Sequence, residues 1–246
     1  MDAQKEKTRI YIGTSGWHYK HWQGTFYPDG IKPDKQFPYY IGKFNTVEIN
    51  NSFYRLPTKE TFQNWREAVP DDFLFSVKAS RFITHMKKLK DPVESSSRFF
   101  ENAAGLGEKL GPILFQLPPM WNLNIERFSE FLQKLPRQFR HVFEFRNPTW
   151  YTQEVLELLQ QYNCAFCIYE LAGHITPLHV TSTFVYVRLH GPGDKYQGSY
   201  TDEALREWAY KCMEWLHDKD VYVYFDNDIG SHAPYNALTL MQYISR

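Results

Sequence analysis

The sequence predicts a single-domain (β/α)8 barrel of the TIM type, and three observations point to it. Short β-rich apolar runs alternate with helical patterns, as they do when helices cross over between parallel strands. There are eight such runs. The 246 residues also match the roughly 250 typical of this architecture.

Taken in order, the first strand is expected at Ile10–Thr14, and residues 1–9 before it read as a disordered tail. A long aromatic stretch from Trp17 to Pro28 follows, with no helix expected before the second strand, Thr46–Asn50. Thr58 then caps a helix over Lys59–Ala68 and leads to the third strand, Leu74–Lys78. Asp91 opens a helix over Pro92–Lys109, followed by the fourth strand, Ile113–Leu117. Asn124 caps Ile125–Lys134 ahead of the fifth strand, Val142–Arg146. Thr152 caps Gln153–Gln161 ahead of the sixth, Phe166–Glu170. The link from Glu170 to Phe184 contains Gly173 and Pro177 and leaves little room for a helix. The seventh strand, Val185–His190, leads through a helix over Thr201–His217 to the eighth, Val221–Asp226. Ser231 then opens a last helix, Ala233–Ile244.

Composition excludes several function classes. Lys plus Arg and Asp plus Glu both total 28, so no net field draws in nucleic acid or an anionic membrane. Charged residues interrupt every apolar run, so no span of a bilayer is expected, and the polar start lacks the apolar core of a signal peptide. A cytoplasmic location is expected. Three cysteines fit a reducing compartment. Cys164 and Cys167 form a C-x-x-C, but on a strand positions three apart point to opposite faces, so the two sulfurs are expected in the core and not on one ion.

Strand parity locates the candidate site. The odd positions Val47, Ile49, Val77, Phe115, Phe143, Phe145, Val187, Leu189, Val223 and Phe225 are apolar and should face the helices. The even set should face inward: Glu48, Asn50, Ser76, Lys78, Gln116, Glu144, Arg146, Glu170, Arg188, His190, Tyr224 and Asp226. It turns polar at the C-terminal ends of the strands, where barrel enzymes carry their chemistry. Ionisable groups from six strands at one end are costly to bury unpaired, which favours a pocket for a polar ligand.

Glu48 and Glu144 read as an acid/base pair, with His190 assisting proton transfer. Lys78 neutralises a neighbouring carboxylate or, if desolvated, acts as a Schiff-base nucleophile. Arg146 and Arg188 are suited to a phosphate or carboxylate on the ligand. Asn50, Gln116 and Asp226 line the same mouth, and Trp17, Tyr54 and Trp150 are candidate stacking rings at the rim. No cofactor is expected. The competing reading is a divalent metal held by a mixture of carboxylates with His18, His21, His85, His190 or His232, which the interleaved Lys and Arg oppose.

The motifs also resemble the DUF72 family, related to bacterial YecE, nearly end to end. They are Gly13-Thr-Ser-Gly-Trp-His-Tyr19, with Trp22, Gly24 and Phe26-Tyr-Pro28; Phe44-Asn-Thr-Val-Glu-Ile-Asn50; Ser52-Phe-Tyr-Arg-Leu-Pro57; and Phe75-Ser-Val-Lys78 with Thr84-His85. Leu114-Phe-Gln-Leu-Pro-Pro119, Phe143-Glu-Phe-Arg146 with Trp150, Tyr186-Val-Arg-Leu-His-Gly191, and Tyr224-Phe-Asp-Asn-Asp228 with Asn236-Ala237 complete the set. The resemblance implies a TIM barrel and no particular reaction. The family often carries Asn at the position of Asp226 and Asp near that of Glu170. The leading expectation is a metal-independent enzyme acting on a small polar anion, such as a sugar or phosphorylated metabolite. The alternatives are a metal-dependent, endonuclease IV-like phosphodiesterase acting on nucleic acid, and a non-catalytic ligand-binding barrel.

Overall fold

The computed structural model describes residues 8–245. Among them, eight parallel strands run around a nearly closed barrel: β1 (Ile10–Thr14), β2 (Thr46–Ile49), β3 (Leu74–Lys78), β4 (Leu110–Gln116), β5 (His141–Glu144), β6 (Ala165–Leu171), β8 (Phe184–Leu189) and β9 (Asp220–Phe225). The two-residue β7 (His174–Ile175) folds back antiparallel on β6 through a turn at Ala172 and Gly173, both with positive φ. Seven helices cover the outside: α1 (Pro33–Ile41), α2 (Lys59–Glu67), α3 (Pro92–Ala103), α4 (Ile125–Lys134), α5 (Gln153–Gln161), α6 (Asp202–Leu216) and α7 (His232–Ile244). The hairpin stands where an eighth helix would, as the short link from Glu170 to Phe184 implied.

Thr58, Asn124 and Thr152 cap their helices as expected, and Thr201 does the same for α6. Asp91 and Ser231 do not, because both adopt left-handed backbone conformations and their side chains accept no capping bond. Helix α1 is an addition to the sequence reading. Pro38 lies inside it, where proline removes a helical hydrogen bond, but Pro33 at its first turn suits the start. The helix expected over Pro92–Lys109 stops at Ala103, and a 3-10 turn broken at Gly107 leads into β4 three residues early.

The ring closes between β1 and β2 by a narrow seam. Ser15 bridges to Glu48, and the Gly16 amide donates to the Glu48 carbonyl at 2.8 Å. Gly13 is required there, since a Cβ on it would lie 2.4 Å from the Thr46 carbonyl oxygen. By contrast, β1 pairs with β9 along its whole length, Ile10 to Thr14 against Val221 to Phe225. Of the tail expected at 1–9, Arg9 is held, its carbonyl accepting from the Val221 amide at 2.9 Å. Residues 1–7 lie outside the described residues.

Two apolar clusters follow from the alternation. The larger fills the space between sheet and helices; the smaller, Tyr11, Leu114, Val142, Ala165, Cys167, Phe184, Tyr186, Tyr222 and Tyr224, plugs the barrel. Cys164 belongs to the outer cluster and Cys167 to the inner, so the C-x-x-C straddles the sheet as its spacing dictates. In β6 the phase is inverted relative to the even-inward rule. Pairing sets Cys167 and Tyr169 beside the inward Tyr186 and Arg188, and sets Glu170 beside the outward Leu189. The expectation that Glu170 lines the mouth is therefore corrected: its carboxylate accepts from Trp208 Nε1 of α6 at 3.1 Å.

Candidate functional site

At the C-terminal ends of the strands the inward side chains build one buried ionic cluster around Arg188, itself 0% exposed. β8 delivers the guanidinium, which donates from Nε and Nη2 to the two oxygens of Glu48 at 3.0 and 2.7 Å. Nη1 reaches Glu144 at 2.8 Å, and Nη2 also reaches Asp226 at 3.1 Å. Three carboxylates from β2, β5 and the end of β9 thus converge on one cation. The planar fork of arginine suits this role better than a lysine would.

Each carboxylate is further occupied. Glu48 accepts from Ser15 Oγ at 2.6 Å and from the Tyr186 hydroxyl at 2.7 Å, which fills its oxygens with four donors and buries it completely. Glu144 accepts from Arg146 Nε and lies 3.9 Å from the Cys167 thiol. Burial pushes its pKa up, but Arg146 and Arg188, helped by His190 and Lys78, outweigh that and hold the carboxyl well below the usual range. Asp226 is likewise held low: Arg188 and His190 overcome its burial.

His190 Nδ1 sits 2.9 Å from Asp226 Oδ2, short in distance but off the line of a good hydrogen bond. Its Nε2 accepts from Arg146 Nη2 at 2.9 Å, so the ring is Nδ1-protonated. Burial, then Arg188, lowers its pKa and keeps it neutral. Above it lies the loop from Gly191 to Tyr200, with the Tyr196 ring edge-on to His190 at 5.5 Å. Asn227 and Asn236 pin that loop by donating to the Gly198 carbonyl and Ser199 hydroxyl. Gly191 has φ +109, and a Cβ there would stand 2.2 Å from the Gln197 carbonyl oxygen.

These contacts revise three sequence expectations. Glu48 and Glu144 are joined in one site, but as ion-paired carboxylates at 0% exposure they are not suited to exchange protons with a ligand. Arg188 is sequestered, so it organises the cluster and does not meet a ligand. Trp150 is not at the rim: it is fully buried, stacked on Phe145 at 5.1 Å and donating to the Trp121 carbonyl at 2.8 Å.

Lys78 departs from expectation in the opposite way. It makes no direct ion pair with Glu48 or Glu144, although its charge still helps hold Glu144 ionised. Among the described residues it has no ion-pair or hydrogen-bond partner for Nζ, although it is only 8% exposed. The ammonium instead rests over the Phe53 ring, 4.6 Å from its centroid. Burial and then Arg188 press its pKa down to about 8, the three carboxylates offsetting only part of that. The strand end beneath it is fixed by Ser52, whose hydroxyl donates to the Lys78 carbonyl at 2.6 Å. Beyond it the chain makes a single π-turn, Phe82–Met86, a local irregularity frequent at functional sites.

Around Lys78 the mouth offers further polar groups. Extending the β2–β3 register puts Asn50 beside it, with Oδ1 buried and unpartnered. Gln116 follows on β4 and Arg146 just beyond β5, giving an arc Lys78, Gln116, Arg146 on successive strands. Arg146 stacks on Tyr169 at 4.4 Å, and among the described residues its Nη1 makes no bond. A rim cavity of about 300 Å³ is lined by Trp17, Tyr19, Asn50 and Tyr54, the last 79% exposed.

Asp228 is a site residue that parity reasoning missed, because it lies past the end of β9. Burial and then Asp226 raise its pKa to about 6, and His21 Nε2 stands 3.4 Å from its carboxylate. Ser15 and Tyr186 were also missed. β1 had been assigned no inward set, and a tyrosine beside glutamate reads as core until the partner is seen.

A family model described as a protein of unknown function, DUF72, matches residues 11–246. The chain is 30% identical over 259 residues to the UPF0759 protein YecE of Escherichia coli O157:H7, covering 95% of this chain and 92% of that one. It is 25% identical over 270 residues to the UPF0759 protein YunF of Bacillus subtilis, covering 96% and 94%. A crystal structure of a DUF72 family protein from Thermotoga maritima aligns with a TM-score of 0.85 at 28% identity, over 97% of this chain and 100% of that one. Another, from Enterococcus faecalis, aligns at 0.74 and 20% identity over 96% of each, which speaks to the fold alone.

Proposed function

This chain belongs to the DUF72 family, and from that premise we propose that it is a metal-independent enzyme acting on a small polar anion at the barrel mouth. The observation that carries the reading is Lys78, a largely buried ammonium with no carboxylate within ion-pair distance among the described residues. A buried charge left unpaired is costly, and a ligand anion would relieve that cost on binding. The free Nη1 of Arg146 and the amide of Gln116 extend the anion site, and the unpartnered Oδ1 of Asn50 suits a hydroxyl or amine on the same ligand. A hydroxylated acid or a sugar phosphate has this mixture of groups.

In this reading acid/base work passes from the sequestered Glu48, Glu144 and His190 to Lys78 at the mouth, whose pKa burial and then Arg188 press down to about 8. The metal-dependent reading has less support. The carboxylates converge on Arg188, and among the described residues no three His, Cys, Asp or Glu side chains gather as a ligand set.

Calorimetric titration with inorganic phosphate and with glycerate tests the proposal. Wild type should bind at least one of them, and Lys78→Met should weaken that binding on the order of tenfold or more, in line with a charge-assisted contact. A surface control, Lys134→Met, should leave it unchanged. Equal affinity in wild type and Lys78→Met would overturn the assignment.

A further inference from the structure

We propose that Lys78 is an imine-forming nucleophile for a small aldehyde or ketone bearing an anionic group, its Nζ attacking the carbonyl carbon at the barrel mouth. This rests on the anion-site reading above and names the substrate class. Imine formation needs an amine that is free of ion pairs, shielded from water and open on one side to a ligand. Among the described residues Lys78 has no ion pair within 4 Å, is largely desolvated at 8% exposure, and keeps Nζ accessible on one side. The carboxylates within electrostatic reach are engaged by Arg188, Arg146 and His190, and the Phe53 ring covers one side of Nζ. The depressed basicity of the amine follows from the same surroundings. Arg146, two strands along, is placed to take the anionic group and so leave Lys78 to the carbonyl.

The step balances without an added oxidant or reductant. The ammonium first gives up a proton, and the lone pair of Nζ forms a bond to the carbonyl carbon while the carbonyl π pair moves to oxygen. The carbinolamine oxygen takes up protons and leaves as water as the C=N bond forms. One lysine ammonium and one carbonyl compound give one iminium and one water, with the same net charge in the same pocket. His85 packs edge-on against the Phe53 ring at 5.0 Å with Nδ1 held by Thr84, and its Nε2 is available to carry the proton.

The full-length protein should be incubated with glyoxylate and sodium borohydride near neutral pH, then digested and mapped by mass spectrometry. The expected result is a reduced carboxymethyl adduct on Lys78, formed on the order of tenfold or more faster than on exposed lysines such as Lys43 and Lys59. Lys78→Arg should still bind glyoxylate and give no preferred adduct. Labelling of Lys78 no faster than of surface lysines, with glyoxylate binding intact by calorimetry, would overturn the imine and leave the anion site standing. Loss of both binding and adduct in wild type would overturn the two together. Because the mapping is done on wild type, it does not depend on the folding of a variant.

Discussion

Arg188 and Lys78 are the two buried cations of the cluster, and they have opposite energetic roles. Arg188 is matched by Glu48, Glu144 and Asp226. Removing one partner leaves charge buried, so Glu48→Gln should cost about 3–5 kcal/mol in urea unfolding. Lys78 has no direct ion pair, so Lys78→Met should stabilise the free protein by about 1–4 kcal/mol while weakening anion binding on the order of tenfold or more. A less stable or unchanged Lys78→Met protein would contradict the unpaired state. The pH sign follows from a folded pKa of about 8 lying below the ordinary lysine value of 10.5. Between those values the unfolded chain holds the extra proton, so this group's contribution to stability rises with pH across that window. Anion affinity should move the other way, falling up to roughly tenfold per unit once pH passes 8. Titrations from pH 6 to 10, wild type against Lys78→Met, test both signs.

At the scale of elements, Gly13→Ala should separate the β1–β2 seam, since the new Cβ would meet the Thr46 carbonyl at 2.4 Å. A loss of at least about 2 kcal/mol in thermal unfolding is expected, and a neutral result would mean the seam yields easily. The seam also marks where sequence reading stopped. Six of the eight strand phases are legible, because apolar odd positions alternate with polar even ones, and the sequence assigns none to β1. The parity rule fails at β6, because its run Ala165-Phe-Cys-Ile-Tyr-Glu170 is apolar on both faces and only the pairing with β8 sets its phase. Helix α1 was hidden by Pro38. The sequence places Trp150 at the rim, because an aromatic after a strand looks the same whether it caps a loop or anchors one, and the structure buries it. The ionic residues were found, but not their partnerships. Parity gives direction, whereas which carboxylate meets which cation depends on distances across the barrel.

For the molecule as a whole, the clustered carboxylates tie stability to acidity. Glu144 and Asp226 are held below their ordinary values, so their contribution is complete above the unfolded carboxylate range and is lost progressively from there down through their lower folded values. Denaturation should therefore steepen below about pH 4.5, and Glu144→Gln should show a shallower acid dependence from a lower starting stability. Matching slopes in the two proteins would place the acid-sensitive groups elsewhere. With 28 residues of each sign, the chain has no net field to guide a ligand from afar, so ligand association should depend only weakly on salt.

The unequal pairing of β1 has a consequence in time. During synthesis this strand emerges early, yet the partner that meets it residue for residue, β9, is made near the other end of the sequence. Until then its contact within the sheet is the narrow bridge to β2, so the barrel cannot close strand by strand as it is translated. A nascent chain lacking β9 should expose β1 to proteases and chaperones, and closure should come late, as a single event.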